Sequence, residues 1–129
     1  SLDEVSYGLP PLLRAYKIQK KAAKKGFDWK DAEGPWSKIQ EEIAELKEAS
    51  LTKTKDEIEK ELGDVLFSVV NLARHLDVDP NLALASTNQK FMKRFAYVEE
   101  KMELSGEQMN PENLEIMDKF WDESKKLGF

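Results

Sequence analysis

The sequence of 129 residues contains no cysteine, which excludes a disulfide-stapled scaffold and a thiol nucleophile. It has no apolar run near the roughly 18 to 20 residues that a membrane-spanning helix needs, and no signal peptide is visible. These absences favour a soluble, cytoplasmic protein with no membrane partner. A single domain over residues 1–129 is expected, because a chain of this length can bury a core without disulfides or a structural metal.

Several kinds of active site are also excluded by what is missing. The single histidine, His75, has Leu72 three residues before it, so the Glu-x-x-His pairs of a di-iron carboxylate bundle are absent. There is no GxxxxGK[ST] phosphate loop and no candidate set of Ser, His and Asp. The net charge of -5 argues against a nucleic-acid partner, because a domain that binds nucleic acid usually has a basic surface.

Glycine and proline are scarce and, apart from Gly8 and Gly63, fall where helices would begin or end. Glu, Lys, Leu and Ala are abundant, which is typical of helical proteins. The sequence therefore predicts an all-α bundle of about five helices and no strand, preceded by a loose N-terminal arm at 1–9. The expected helices run from Pro10 to about Lys25, Pro35 to about Ser50, Thr54 to about Leu76, Asp79 to about Leu104, and Asn110 to near Gly128.

The third predicted helix is apolar on more than one side. A helical projection places Leu62 and Val69 on its core face, while Phe67 and Val70 point elsewhere. A helix of this kind is enclosed rather than laid on a surface, and five helices offer few ways to cover it. We therefore expect a homodimer to complete the core.

Two predicted helices each carry a pair of acids beside an apolar stripe. Glu42 and Glu45 lie on the second helix, and Glu61 and Asp64 on the third. Helical residues three apart project in one direction, and four converging carboxylates would repel one another unless a cation neutralises them. Oxygen ligands suit Mg²⁺ or Mn²⁺, whereas zinc favours Cys or His. Either pair alone is more often a solvated helix face, but the two together favour a metal site.

Other polar and aromatic residues fit a ligand of the same chemistry. Lys90 and Arg94, one helical turn apart, could direct two cations at one phosphate chain, although such pairs are often only surface charges. Gln19 falls on the apolar face of the first helix, where its amide needs a backbone or ligand partner. The rings of Phe27 and Trp29, in the following linker, either pack onto the bundle or wall a pocket.

In the order of these motifs the sequence resembles the MazG-type nucleoside triphosphate pyrophosphohydrolases of the all-α NTP pyrophosphatase superfamily. The resemblance covers nearly the whole chain and is strongest to the C-terminal domain of the long, tandem MazG proteins. The ordered set of motifs is specific, whereas ExxE followed by ExxD is only moderately so. The segments that carry it are 9–17, 26–29, 41–45, 61–67, 70–75, 88–95 and 120–121.

The resemblance implies a reaction and a metal site. The expected reaction is hydrolysis of an NTP or dNTP between the α and β phosphates, which yields a nucleoside monophosphate and pyrophosphate and serves nucleotide-pool housekeeping. Mg²⁺ is the implied cofactor, with Mn²⁺ as a substitute, held by Glu42, Glu45, Glu61 and Asp64. Glu41 would orient the attacking water, although the neighbouring Glu42 could exchange roles with it.

The resemblance also implies the contacts that hold the substrate. The residues concerned are Lys38, Lys90 and Arg94 for the phosphates, and Trp121, Gln19 and Trp29 for the nucleoside. The base preference stays open. The alternative is a non-catalytic helical interaction or regulatory domain of a larger protein, which would release no pyrophosphate from a mixture of nucleotides.

Overall fold

The computed structural model describes residues 1–129 and contains five α-helices and no strand. The all-α prediction is therefore confirmed. The helices are α1 (Pro11–Lys24), α2 (Glu33–Thr52), α3 (Lys55–His75), α4 (Pro80–Leu104) and α5 (Leu114–Lys126). Short 3₁₀ turns at Leu2–Glu4 and Pro111–Asn113 precede α1 and α5. No helix is both long enough and apolar enough to cross a membrane.

Side chains cap the first turn of α3, of α4 and of the 3₁₀ turn that leads into α5. Thr54 and Asn110 each accept a hydrogen bond from the backbone N–H three residues later, at 3.3 and 3.2 Å. Asp79 accepts one from the N–H two residues later, at 2.8 Å. The first N–H groups of a helix have no partner inside it, and short polar side chains before the helix supply one.

One helix begins earlier than expected. α2 starts at Glu33, two residues before Pro35. Proline is tolerated there because N–H groups in the first turn have no acceptor within the helix.

The N-terminal arm contacts α1 in two places. Glu4 forms an ion pair with Lys21, and the Arg14 guanidinium lies 4.3 Å from the centre of the Tyr7 ring.

The chain divides into two compact units, Ser1–Ala83 and Leu84–Phe129. In the first unit α2 packs along α3, and α1 packs on α3. Only residues 53 and 54 separate α2 from α3, so the two helices form an antiparallel hairpin. Ala49, Val70 and Leu72 are buried here.

The second unit contains most of α4 together with α5. The rings of Phe91 and Trp121 lie 5.1 Å apart, and those of Tyr97 and Phe129 lie 5.7 Å apart. The Tyr97 hydroxyl donates to Glu123 at 2.5 Å, and this bond raises the pKa of Tyr97 to about 12. These contacts join the two helices within this unit.

The buried face of α3 matches the projected one only in part, since Leu72, which the projection also places on the core face, is buried. Leu62, Leu66 and Val69 are 46%, 53% and 45% exposed, whereas Val70 is only 1% exposed. The prediction that Leu62 and Val69 lie in the core of the chain is therefore wrong. Because α3 is apolar on several sides, periodicity alone does not show which side meets α1 and α2. We call the residues Leu62, Leu66 and Val69 the α3 stripe.

Candidate functional site

The α2–α3 hairpin brings three of the four predicted acids together. One carboxylate oxygen from each of Glu42, Glu45 and Glu61 lies within 4.8 Å of the other two. Glu45 is seven residues before the end of α2, and Glu61 is six residues after the start of α3. Because both helices rise 1.5 Å per residue, these two residues stand at nearly the same height along the hairpin. We call the three acids the acid cluster.

The acid cluster is short of positive charge. The negative charge of Glu42 raises the pKa of Glu45 above its ordinary value. Oε2 of Glu42 and Oε2 of Glu61 are buried and accept no hydrogen bond. An unsatisfied buried carboxylate oxygen is costly, and a bound cation is one explanation for it. Three carboxylates that lack positive charge and hydrogen-bond partners fit a hard divalent ion better than a zinc ion, because zinc favours Cys and His.

Lys38 supplies part of the missing charge. Its Nζ lies 3.1 Å from Oε1 of Glu42 and 3.5 Å from Oε2 of Glu41. The hydrogen bond to Glu42 raises the pKa of Lys38 above its ordinary value. Lys38 leaves the second oxygen of Glu42 without a partner, so it neutralises the acid cluster only in part.

Asp64, the fourth predicted ligand, and Glu41, the predicted water-orienting acid, lie outside this group of three. Asp64 is absent from the group of three but lines the same cleft as Glu42. Glu41 is exposed and borders a smaller hollow of about 320 Å³, together with Lys38 and Trp29. Although Glu41 and Glu42 are adjacent in sequence, their side chains therefore occupy different surroundings.

A cleft of about 760 Å³ opens in the first unit beside the acid cluster. Its volume falls within the range typical of sites for small molecules. The residues that face it from four segments of the unit include Ile18, Gln19, Phe27, Asp28, Trp29, Lys38, Glu42, Asp64, Phe67, Ser68, Asn71 and Arg74. Two of the predicted nucleoside contacts, Gln19 and Trp29, are thus in the same cleft as two predicted metal ligands.

Gln19 is buried and only half of its amide is satisfied. Its Nε2 donates to the backbone oxygen of Phe67 at 2.9 Å, while its Oε1 is buried without a partner. A carbonyl oxygen can only accept, so the nitrogen must be the atom that faces Phe67. The bond ties α1 to α3 and leaves a free acceptor at the wall of the cleft.

A second polar cluster, which the sequence did not predict, lies beside the cleft. The Asp28 carboxylate accepts hydrogen bonds from Nη1 and Nη2 of Arg74, at 3.0 and 2.6 Å, and from Nε2 of His75 at 2.8 Å. Nη2 of Arg74 also donates to Asn71 at 2.8 Å. The hydrogen bonds from Arg74 hold the pKa of Asp28 well below its usual range. We call these four residues the Asp28 cluster.

Three predicted substrate contacts belong to the second unit. Lys90 is exposed on α4. Nε of Arg94 donates to the backbone oxygen of Phe129 at 2.8 Å, and its guanidinium carbon lies 5.7 Å from the centre of the Trp121 ring. Arg94 and Trp121, predicted to contact phosphate and nucleoside respectively, are therefore neighbours within this unit.

Comparison with known protein families matches residues 34–102 to the MazG nucleotide pyrophosphohydrolase domain. This segment contains both predicted acid pairs and both predicted cations of α4. The chain is 44% identical, over 96% of its length, to the nucleoside triphosphate pyrophosphohydrolase/pyrophosphatase MazG of Thermotoga maritima. It is 40% identical, over 98% of its length, to the nucleoside triphosphate pyrophosphohydrolase of Escherichia coli K12. It spans about half the length of these curated relatives, 48% and 49%.

Proposed function

The chain belongs to the MazG nucleotide pyrophosphohydrolase family, and from this premise we propose that it hydrolyses nucleoside triphosphates between the α and β phosphates. The products are a nucleoside monophosphate and pyrophosphate. The observation that carries the proposal is the acid cluster, whose carboxylates converge within 4.8 Å beside a cleft large enough for a nucleotide. The names of the relatives in T. maritima and E. coli support the same reaction class.

The proposed cofactor is Mg²⁺, with Mn²⁺ as a substitute. Glu42, Glu45, Glu61 and Asp64 would hold it, since all four offer oxygen and two of them have a buried oxygen without a partner. When bound, the ion would neutralise charge on the phosphate oxygens and polarise the bond that is cleaved. Lys38, whose Nζ lies 3.1 Å from Oε1 of Glu42, would supply a further positive charge to the phosphates at the edge of this set.

The attacking water needs a carboxylate that accepts a hydrogen bond from it and takes up its proton. We propose Glu41 for this role and keep Glu42 as the other candidate. Glu41 is adjacent in sequence to Glu42, but its carboxylate is not one of the three that lie within 4.8 Å of one another. It is therefore not needed as a metal ligand. Its ion pair with Lys38 ties it to the edge of the site.

Six side chains are proposed to hold the substrate. Lys38, Lys90 and Arg94 would bind the phosphates, because charge-assisted hydrogen bonds to phosphate oxygens are the strong ones. Trp121, Gln19 and Trp29 would bind the nucleoside. Support comes from the position of Gln19 and Trp29 in the cleft wall and from the contact between Arg94 and Trp121.

We also propose that residues 1–129 act as one domain and that two copies form a homodimer. α4 begins in the first unit and ends in the second, and the family match includes residues of both. The α3 stripe supports a dimer, because soluble monomers rarely leave a continuous apolar surface uncovered. The cytoplasmic location stays a prediction.

The products formed from ATP test the proposed reaction. The protein is incubated with ATP and Mg²⁺, and ³¹P NMR identifies the products. Cleavage between the α and β phosphates gives AMP and pyrophosphate in equal amounts, whereas cleavage between β and γ gives ADP and inorganic phosphate. A non-catalytic interaction domain would leave ATP intact. Formation of ADP and inorganic phosphate, or the absence of cleavage both of ATP and of a mixture of the other nucleoside triphosphates, would contradict the proposal.

A further inference from the structure

The loop between α1 and α2, residues 25–32, is fastened to α3 through the Asp28 cluster. The side chains of Arg74 and His75 are only 13% and 10% exposed. Arg74 meets Asp28 with two parallel N–H donors, a geometry that fixes orientation as well as distance. Asn71, one turn earlier on α3, holds the same guanidinium at 2.8 Å. The position of Asp28 is thus set by three residues of α3.

Trp29, the next residue in the loop, is held from two directions. Its backbone N–H donates to Oδ1 of Asp28 at 2.9 Å, the oxygen that also accepts from Arg74 and His75. A Cβ added at Gly34 on α2 would lie 2.5 Å from Cδ2 and Cε3 of the indole. The ring therefore packs directly on the backbone of α2, which is free of a side chain at that point.

Trp29 retains a large accessible surface in this position. The residue is 49% exposed, and it borders both the cleft and the smaller hollow beside α2. An accessible aromatic ring can stack on any nucleobase, because every base has a π face. Ordering such a ring before binding removes part of the entropic cost of binding.

We infer that Asp28 and Arg74 are positioning residues that hold Trp29 as a preformed stacking wall for the nucleoside. The inference rests on the proposed function, since it assumes that the cleft receives a nucleotide. Arg74 is already paired with Asp28, so it is not a free cation for phosphate. Loss of the pair should therefore weaken binding of the nucleoside and leave the phosphates and the acid cluster unaffected.

Three single variants test the inference by different routes. Asp28→Asn removes the charge that Arg74 meets, and Arg74→Lys keeps a positive charge but loses the planar fork. Gly34→Ala pushes the indole away without touching the ion pair, so it remains informative if the other two fold poorly. Asp56→Asn, on the exposed first turn of α3, is the matched control.

Kinetics and calorimetry separate a nucleoside effect from a phosphate effect. For the three variants we expect KM for ATP to rise about three- to tenfold, with kcat within about twofold of wild type, because only the ordering of one ring is lost. Affinity for the α,β-methylene analogue of ATP should fall by a similar factor. Affinity for inorganic tripolyphosphate, which has no nucleoside, should not change.

A double variant tests whether Asp28 acts through Trp29. Asp28→Asn should have no further effect on KM or on analogue binding when Trp29→Ala is already present, because coupled residues are non-additive. Additive losses, unchanged KM in all three single variants, or equal losses for tripolyphosphate and the analogue would each overturn the inference. A wild-type protein that binds the analogue but releases no pyrophosphate would contradict the proposed function, and calorimetry on the variants would still decide the inference.

Discussion

Glu42 is buried, yet only one of its two carboxylate oxygens has a partner. Lys38 lies against Oε1, and Oε2 has none. The charge of Glu42 also raises the pKa of Glu45. A cation bound between Glu42 and Glu45 would offset their repulsion and would give Oε2 of Glu42 a partner. Substitution of Glu42 therefore tests whether Glu42 is the metal ligand and Glu41 the acid that orients the attacking water.

The first prediction separates metal binding from water orientation. Glu42→Gln should lose hydrolysis and also the rise in melting temperature that Mg²⁺ causes, because a ligand is removed. Glu41→Gln should lower kcat by about 10²- to 10⁴-fold, the usual contribution of a general base, and keep the Mg²⁺-dependent rise. Turnover and melting with Mg²⁺ or EDTA measure both effects.

The control for this pair is Glu48→Gln, which changes an exposed acid of α2 outside the acid cluster. It should leave turnover and the response to Mg²⁺ unchanged. If Glu41→Gln lost the Mg²⁺ response and Glu42→Gln kept it, the two roles would have to be exchanged.

The second prediction concerns Asp28 and acid. Hydrogen bonds from Arg74 lower the pKa of Asp28 in the folded state, so the ionised form stabilises the fold. This contribution is fully present above the unfolded pKa of about 3.9 and is lost as pH falls through the lower folded value. The difference in melting temperature between wild type and Asp28→Asn should be smaller at about pH 3 than at about pH 5. A difference that grows between these two pH values would show that Asp28 is not stabilised in this way.

Among the helices, the ends that could be predicted are those set by a local contact. Thr54, Asp79 and Asn110 each bond to an N–H within three residues, so the sequence contains both partners side by side. The start of α2 also has a local contact, since Oδ1 of Asp31 accepts from the N–H of Glu33 at 3.0 Å, although Ala32 itself supplies no capping side chain. Pro35 sets the predicted start two residues too late, because a proline fits at more than one position of a first turn.

The third prediction measures one of these caps. Thr54→Ala removes the bond to the N–H of Glu57 and should lower the free energy of unfolding by about 1 kcal/mol. For a domain of this size that corresponds to a fall of about 3 to 5 °C in melting temperature. Thr52→Ala, at the exposed end of α2, is the matched control and should change it much less. Equal losses from the two variants would show that the Thr54 cap does not stabilise α3.

In the site, too, features set by local spacing could be predicted, whereas features set by contacts between distant residues could not. Convergence of Glu42, Glu45 and Glu61 could be predicted, because helical spacing fixes each pair and the short α2–α3 connection brings the helices together. The bond between Asp28 and Arg74 could not, because 46 residues separate the partners and the conformation of a loop sets their distance. Nor could the buried side of α3, since Val69 and Val70 look alike in the sequence.

In the molecule as a whole, the α3 stripe is an apolar surface that the first unit leaves about half exposed. Ile43 and Trp36 on α2 are also about half exposed. The fourth prediction is that the protein is a dimer, with about twice the mass of one chain by light scattering coupled to gel filtration at low micromolar concentration. Burial of this surface between two copies would remove it from water.

Substitution within the α3 stripe should shift this equilibrium. Leu66→Lys places a charge where the second copy would pack, and it should reduce the measured mass toward that of a monomer. Leu51→Lys makes the same change at a residue that is 79% exposed at the end of α2, outside the α3 stripe, and should leave the dimer intact. A stable and active wild-type monomer would contradict the dimer proposal.

Metal-dependent hydrolysis at the acid cluster is tested most directly by pyrophosphate release from a mixture of nucleoside triphosphates by wild type and by Glu61→Gln. With Mg²⁺, wild type should release pyrophosphate and nucleoside monophosphates in equal amounts, and EDTA should stop the reaction. Glu61→Gln should release none, although in EDTA it should melt no lower than wild type, because loss of one converging acid relieves repulsion when no metal is present. Near-normal turnover by Glu61→Gln, or release that continues in EDTA, would contradict a metal-dependent site at the acid cluster.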